Sequence, residues 1–272
     1  MSGLISSKGG GEILLLGRFE VLKNLGEGRF GKVYLVRDRI KGELYALKEA
    51  KDPIYIGQLL NEAQNVLLID HPHLVKLYHY FTSRSGNRVY LLYEYCDGGD
   101  LKGYVGSKGG KLPPKEALNI LHQITEGLAY LHRYGYIHLD IKPENVLAKK
   151  TGEGLLWKLG DFGLLKTRGF SGILDVKGTV GYIAPEVFRG EIHRSSDIFS
   201  LGCLLYYMLE GHHPFKGKNR AEEKLLNRKG VVPIPPSLPE DWREVFERMV
   251  KINPFQRYRT AGELLQDLKK LG

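Results

Sequence analysis

Over the first third of the chain, apolar and polar residues alternate in short runs. RFEVLKNLG, GKVYLVRDR and GELYALKEA each put side chains of opposite character on opposite faces, which predicts three strands. LVKLYHYF and RVYLLYEY, joined across RSGN, predict two more. Between the two sets the period changes. In PIYIGQLLNEAQNVLLI, residues Ile56, Leu59, Leu60, Ala63, Val66 and Leu67 fall on one stripe of a helix. After the glycine-containing joint near 96–99 the pattern is helical. PKEALNILHQITEGLAYLHRYG has Pro114 in its first turn and Gly135 as its stop. SSDIFSLGCLLYYMLEG is apolar nearly all round and predicts a buried central helix, while PEDWREVFERMVKI and RTAGELLQDLKKLG are amphipathic. The expected fold class is α+β with two lobes. Residues 18–95 form a small antiparallel-sheet lobe carrying one helix, and residues 96–270 a larger, mainly helical lobe. A cleft between them is the expected ligand site. Residues 1–17, which include SGLISSKGGG, read as a flexible N-terminal extension with little fold content.

Composition narrows the classes. Hydrophobic residues make up 42% and charged residues 26%, as in soluble globular proteins. No run approaches the roughly 18 apolar residues of a membrane span. GEILLLGRF is too short and lacks the flanks of a signal peptide, and Ser2 stands where N-myristoylation requires glycine, so no membrane association is expected. A net charge of +9 admits nucleic acid as a partner. There is, however, no block of five Lys/Arg and no arginine–aromatic interleaving. The charge is read as scattered over solvated faces, with some attraction for anions such as nucleotides, and no nucleic-acid partner is expected. Cys96 and Cys203 are too few and too distant for a disulfide framework, so a reducing cytosol and a cytoplasmic location are expected. HPH at 71–73 and HH at 212–213 lack the cysteine or carboxylate partners of a metal site and read as loop histidines. Oligomeric state stays open.

Two segments concentrate chemistry. LGEGRFGKV, residues 25–33, contains G-x-G-x-x-G, but strand follows it on both sides, so it reads as a hairpin tip rather than a strand-to-helix turn. Glycines at such a tip let backbone N–H groups approach phosphates. An ordinary hairpin accounts for one glycine and poorly for three. Fifteen positions beyond Val33, Lys48 sits among apolar neighbours, where an unpaired ammonium is costly; Glu62 on the striped helix is its candidate partner. The second segment is HLDIKPEN, residues 138–145. Asp140 is placed to orient a hydroxyl and accept its proton, Lys142 to neutralise a transferring phosphate, and Asn145 to offer a carbonyl oxygen to a hard cation. KLGDFG supplies a second oxygen ligand in Asp161.

These motifs, followed by GTVGYIAPE at 178–186, occur in the order of a eukaryotic-type protein kinase catalytic domain, which the chain resembles over roughly residues 18–270. The resemblance implies ATP and Mg²⁺ as cofactors and protein substrates with Ser/Thr acceptors. It implies that Gly26, Gly28 and Gly31, with Glu27, Arg29, Phe30 and Lys32 around them, cover the ATP phosphates. Leu25, Val33, Ala46 and Leu147 would sandwich adenine. Lys48 would contact the α- and β-phosphates and pair with Glu62. Tyr93 would be the gatekeeper, followed by the hinge Glu94, Tyr95 and Cys96, and Asp100 would reach the ribose. Asp140 would be the catalytic base, Lys142 the γ-phosphate contact, and Asn145 and Asp161 the Mg²⁺ ligands. Val66, Leu77, His138 and Phe162 would stack as an apolar spine, Glu186 would pair with Arg257, and Asp197 would brace the catalytic loop.

Lys142 and Thr179, the latter as a contact in the substrate platform, match the Ser/Thr pattern. Asp100 and Glu144 resemble acids that bind basic residues upstream of a target hydroxyl, although Tyr207 stands where strongly basophilic members often carry another acid. The chain departs from the family at Leu139. Most members have arginine there, which receives a phosphate on the loop between Asp161 and Glu186. A leucine side chain has no group to bind phosphate. The expectation is therefore a kinase not principally switched by loop phosphorylation, although Thr167 and Ser171 lie in that loop. The rival readings are a pseudokinase or scaffold that binds ATP without transferring phosphate, and an enzyme of this fold acting on a small molecule, against which GTVGYIAPE argues.

Overall fold

The computed structural model describes residues 13–15, 17–28, 31–50, 52–83, 88–167 and 178–271. The chain divides into two compact units, one ending at Asp70 and resuming over Val75–Cys96, the other made of His71–Leu74 and Asp97 onward.

The N-terminal unit is a six-stranded sheet in the order β1-β2-β3-β4-β6-β5. Its strands are β1 (Ile13–Leu15), β2 (Phe19–Glu27), β3 (Gly31–Asp38), β4 (Leu44–Ala50), β5 (Leu77–Thr82) and β6 (Val89–Glu94), and every pairing is antiparallel. The alternating runs of the sequence become β2 to β6. Strand β1 is a correction to the expected extension: Ile13–Leu15 pairs with β2, Ile13 opposite Val21 and Leu15 opposite Phe19. A short apolar run beside an open sheet edge gains a ladder there. The rest of the extension up to residue 12, and residue 16, lie outside the described residues.

One face of this sheet packs on itself through Phe19, Val36, Tyr45, Leu47, Tyr90 and Leu92. The other meets α1 (Ile56–Val66), which follows a 3-10 turn capped by Asp52 and buries Leu59, Glu62, Ala63 and Val66. At the sheet margin Arg18 and Asp38 form two hydrogen bonds of 2.9 and 2.6 Å. Hydrogen bonding to Arg18, reinforced by the Ile40 N–H, outweighs desolvation and holds the Asp38 carboxyl down at about 2.

In the C-terminal unit the helices are α2 (Leu101–Ser107), α3 (Pro114–Arg133), α4 (Arg194–Glu210), α5 (Arg220–Lys229), α6 (Arg243–Met249) and α7 (Ala261–Leu268). Two small sheets pair β7 (Tyr136–Ile137) with β10 (Lys166–Thr167) and β8 (Val146–Thr151) with β9 (Gly154–Leu159). Every residue of α4 except Arg194 and Tyr207 is buried, as its continuous apolarity predicts. Its end at Gly211 (φ 79°) passes so close to Gly110 that a Cβ would lie 2.3 Å from the Gly110 carbonyl oxygen. Helices α2 and α5 were not evident in the sequence. LKGYVGS spends two of its seven residues on glycine, and RAEEKLLNRK buries only Asn227, so neither presents a clear apolar stripe.

Candidate active site

In the N-terminal unit, antiparallel pairing sets Ala46 opposite Tyr93 and Lys48 opposite Leu91. Residues two apart on a strand share a face, so these four point to the side that α1 covers. There Lys48 Nζ donates to both oxygens of Glu62, at 2.9 Å each, with side-chain exposures of 9% and 0%. Burial of this depth leaves the ammonium and the carboxylate to neutralise each other. Leu25, Gly26 and Glu27 end β2, Lys32 and Val33 open β3, and Glu94 closes β6 with Cys96 just beyond it. Gly31 has a packing reason of its own: a Cβ there would lie 2.4 Å from the Glu49 carbonyl oxygen. A Cβ on Gly28 would meet only ordinary contact, so packing alone does not demand that glycine. Arg29 and Phe30 lie outside the described residues. Val66 and Leu77 of the expected spine are both buried.

In the C-terminal unit the β8–β9 hairpin sets the acid cluster. Its ladder ends at Val146 opposite Leu159, and the next hydrogen bond, from Gly160 N–H to the Asn145 carbonyl, brings Asn145 beside the residue preceding Asp161. The Asn145 amide donates to the Asp140 carbonyl oxygen (2.7 Å) and to Asp140 Oδ2 (2.9 Å). Both hydrogens of that amide are thus committed, which fixes which end is nitrogen and leaves Oδ1 as an oxygen donor. Asp161 has φ 55° and accepts from Gly163 N–H. The Thr179 hydroxyl donates to Asp140 Oδ1 (3.1 Å) and accepts from Lys142 Nζ (2.8 Å), and Lys142 lies 3.0 Å from Asp140 Oδ2. An ammonium and a bound hydroxyl therefore meet at one carboxylate.

The backbone of this loop is held from below. Asp197, fully buried on α4, accepts from the N–H groups of His138 (2.8 Å) and Leu139 (2.9 Å), which pins Leu139 at φ 65°. A bulky side chain seldom adopts that conformation without such support. His138 accepts from Asp140 N–H at Nδ1 and donates from Nε2 to the Gly160 carbonyl, and its ring meets Phe162 edge-on at 5.7 Å. Arg257 and Glu186 form a bidentate pair at 2.7 and 2.8 Å, both side chains with no exposure.

A family model described as the protein kinase domain matches residues 19–268. The chain belongs to the protein kinase family. It is 33% identical over 266 residues to the serine/threonine-protein kinase PrkC of Bacillus subtilis, 35% over 259 to CBL-interacting protein kinase 1 of Oryza sativa, and 32% over 263 to an Aurora kinase of Encephalitozoon cuniculi. These matches take in 93%, 91% and 93% of this chain. The chain spans 40% and 55% of the first two relatives' own length and 94% of the third's.

Several features of this kinase domain were not read from the sequence. His132 on α3 accepts from Ala261 N–H at Nδ1 and donates from Nε2 to Asp197 (2.9 Å), so it joins α7, α3 and α4 under the catalytic loop. Its position at the end of an amphipathic helix gives no local sign of that role. Asp100 caps α2 through a 2.7 Å bond from Gly103 N–H and is bridged to Leu147. Glu144 accepts from Lys102 Nζ at 2.8 Å. Partial burial pushes the Glu144 carboxyl up, but the Lys102 bond, a backbone bond and the charges of Lys102 and Lys142 outweigh it and hold it below its ordinary value. Both acids expected to receive basic substrate residues thus already have a partner within the fold. Thr167 pairs through its backbone with Tyr136, while its side chain and Ser171 lie outside the described residues.

Proposed function

We propose that this chain is the catalytic domain of a protein serine/threonine kinase that transfers the γ-phosphoryl group of ATP to Ser/Thr hydroxyls of protein substrates. The observation that carries the reading is the hydroxyl of Thr179 held between Asp140 and Lys142. There the Asp140 carboxylate accepts a hydrogen bond from a hydroxyl while an ammonium stands beside it, which supports a role in receiving a substrate hydroxyl's proton. In the reaction the substrate hydroxyl donates its proton to Asp140, its oxygen forms the new P–O bond, and the bond from the γ-phosphorus to the β–γ bridging oxygen breaks, releasing ADP. Catalysis of this kind rests on positioning and electrostatics. Gly26, Gly28, Gly31 and Lys48 are assigned to the ATP phosphates, and Leu25, Val33, Ala46 and Leu147 to the adenine ring. The residues fit a magnesium ion: Asn145 presents an amide oxygen because its nitrogen is committed, and Asp161 presents a carboxylate, both hard oxygen donors. When bound, Mg²⁺ neutralises charge on the phosphate oxygens. The serine/threonine assignment draws support from the names of the relatives in Bacillus and related sequences. Incubation with labelled ATP, Mg²⁺ and a generic basic protein is expected to yield labelled phosphoserine and phosphothreonine. ATP binding without transfer, the pseudokinase outcome, would overturn the proposal.

We further propose that activity does not depend on a phosphate on the loop between Asp161 and Glu186. Leu139 contributes its N–H to Asp197 and an apolar side chain, with no group that could hold a phosphate. The backbone at His138 and Leu139 is held by Asp197, which His132 in turn contacts, with no phosphate involved. Phosphatase-treated protein is expected to keep more than half its activity; abolition of activity, with the lost phosphates mapped to Thr167 or Ser171, would refute this.

A further inference from the structure

The carboxylate of Glu62 is held by two donors, and only one of them is the lysine. Tyr93 Oη donates to Glu62 Oε1 at 2.5 Å, the same oxygen that accepts from Lys48 Nζ at 2.9 Å. The three residues form one buried cluster. The register explains how they meet. Tyr93 lies opposite Ala46 on β6, Lys48 is two residues along β4, and α1 brings Glu62 onto that face. Glu62 is therefore gripped from two different strands.

We propose that Tyr93 is a positioning residue: through its hydroxyl it holds Glu62, and through Glu62 it holds Lys48 and helix α1 in the arrangement that phosphoryl transfer uses. The inference rests on the kinase reading above. The chemical reason is a division of labour. A buried carboxylate has about four acceptor sites and needs several donors to offset its lost hydration. If Lys48 were its only donor, drawing the ammonium toward a phosphate would weaken the hold on Glu62. The phenol is neutral, so it does not compete with Lys48 for phosphate, and it keeps its grip whichever way the ammonium is drawn.

The test is Tyr93→Phe, which keeps the ring and removes only the hydroxyl. A hydrogen bond to a charged group supports about a tenfold effect. We expect kcat to fall about tenfold with KM for the protein substrate unchanged, and α1 amides in nucleotide-free protein to exchange about tenfold faster. In a Glu62→Gln background, where the charged acceptor is gone, Tyr93→Phe should change both readouts by less than twofold. Wild-type protein that transfers phosphate, with Tyr93→Phe within twofold of it and α1 exchange unchanged, would overturn the inference and leave the kinase reading intact. An equal loss in both backgrounds would also overturn it, since the hydroxyl would then act through a partner other than the Glu62 carboxylate. If wild-type protein fails to transfer phosphate, the kinase reading fails, and the α1 exchange comparison still decides whether Tyr93 holds Glu62.

Discussion

Arg257→Ala is expected to destabilise the protein by about 3–5 kcal/mol, the cost of leaving a buried ion pair half-removed. The guanidinium has five N–H donors, and all are used: two on the Glu186 oxygens, one on the Ser195 carbonyl, one on Ile252 and one from Nε on Lys251. It also lies 4.9 Å from the centre of the Phe199 ring. The substitution leaves the Glu186 carboxylate without exposure and, among the described residues, with the Ser196 hydroxyl as its remaining side-chain donor, at 2.7 Å, and it removes a donor from three carbonyls. Desolvation without compensation decides the sign. Against a total stability of about 5–15 kcal/mol, the loss is large enough to populate unfolded protein at physiological temperature. Denaturant midpoints measure it. The companion variant Glu186→Gln keeps the packing and leaves the guanidinium charge unbalanced, so its cost reports the unpaired charge, and any excess for Arg257→Ala reports lost packing. A shift below 1 kcal/mol for Arg257→Ala would show that water enters and solvates the abandoned carboxylate.

Whether a feature can be read from the sequence depends on the range of the interaction that makes it. Strands β2 to β6 and helices α1, α3, α4 and α7 follow from period because each buries a face set by its own residues. Lys48 and Glu62 were pairable in advance because an isolated ammonium among apolar residues requires an anion. His132 is different. It joins Ala261, 129 residues away, to Asp197, 65 residues away, and nothing in LAYLHRYG encodes either partner. The Tyr93–Glu62 bond is similar, since a tyrosine in VYLLYE reads as strand packing whatever its hydroxyl meets. For Gly31 the motif and the fold agree for different reasons: the motif suggests backbone approach to phosphate, while the structure shows that Glu49 leaves no room for a Cβ. The acids at 100 and 144 show the opposite limit. Their charge was legible, but not that Gly103 N–H and Lys102 had already engaged it.

Asp140→Asn should lower kcat about 10²–10⁴-fold, the range that a positioned general base contributes. Its special value as a test is that asparagine preserves much of the geometry. The amide oxygen can still accept from the Thr179 hydroxyl, as Asp140 Oδ1 does at 3.1 Å. What disappears is the ability to take a proton and the negative charge facing Lys142 at 3.0 Å. At the other carboxylate oxygen the substitution places an NH₂ group opposite the Asn145 amide nitrogen, donor against donor, where a 2.9 Å bond stood. Asn145 keeps its 2.7 Å bond to the carbonyl of residue 140, so its oxygen stays available to a cation. Nucleotide affinity should therefore change by less than about threefold while turnover collapses. Residues that bind ATP without touching the acceptor hydroxyl would give the reverse split, with affinity lost first. Retention of more than a tenth of wild-type kcat would show that Asp140 orients the hydroxyl without accepting its proton, and the step would then need another acceptor. Lys142→Ala sharpens the comparison. It leaves the carboxylate in place and removes the ammonium, so a loss of similar size would assign the effect to charge at the transferring phosphate, and a much smaller one to proton acceptance by Asp140.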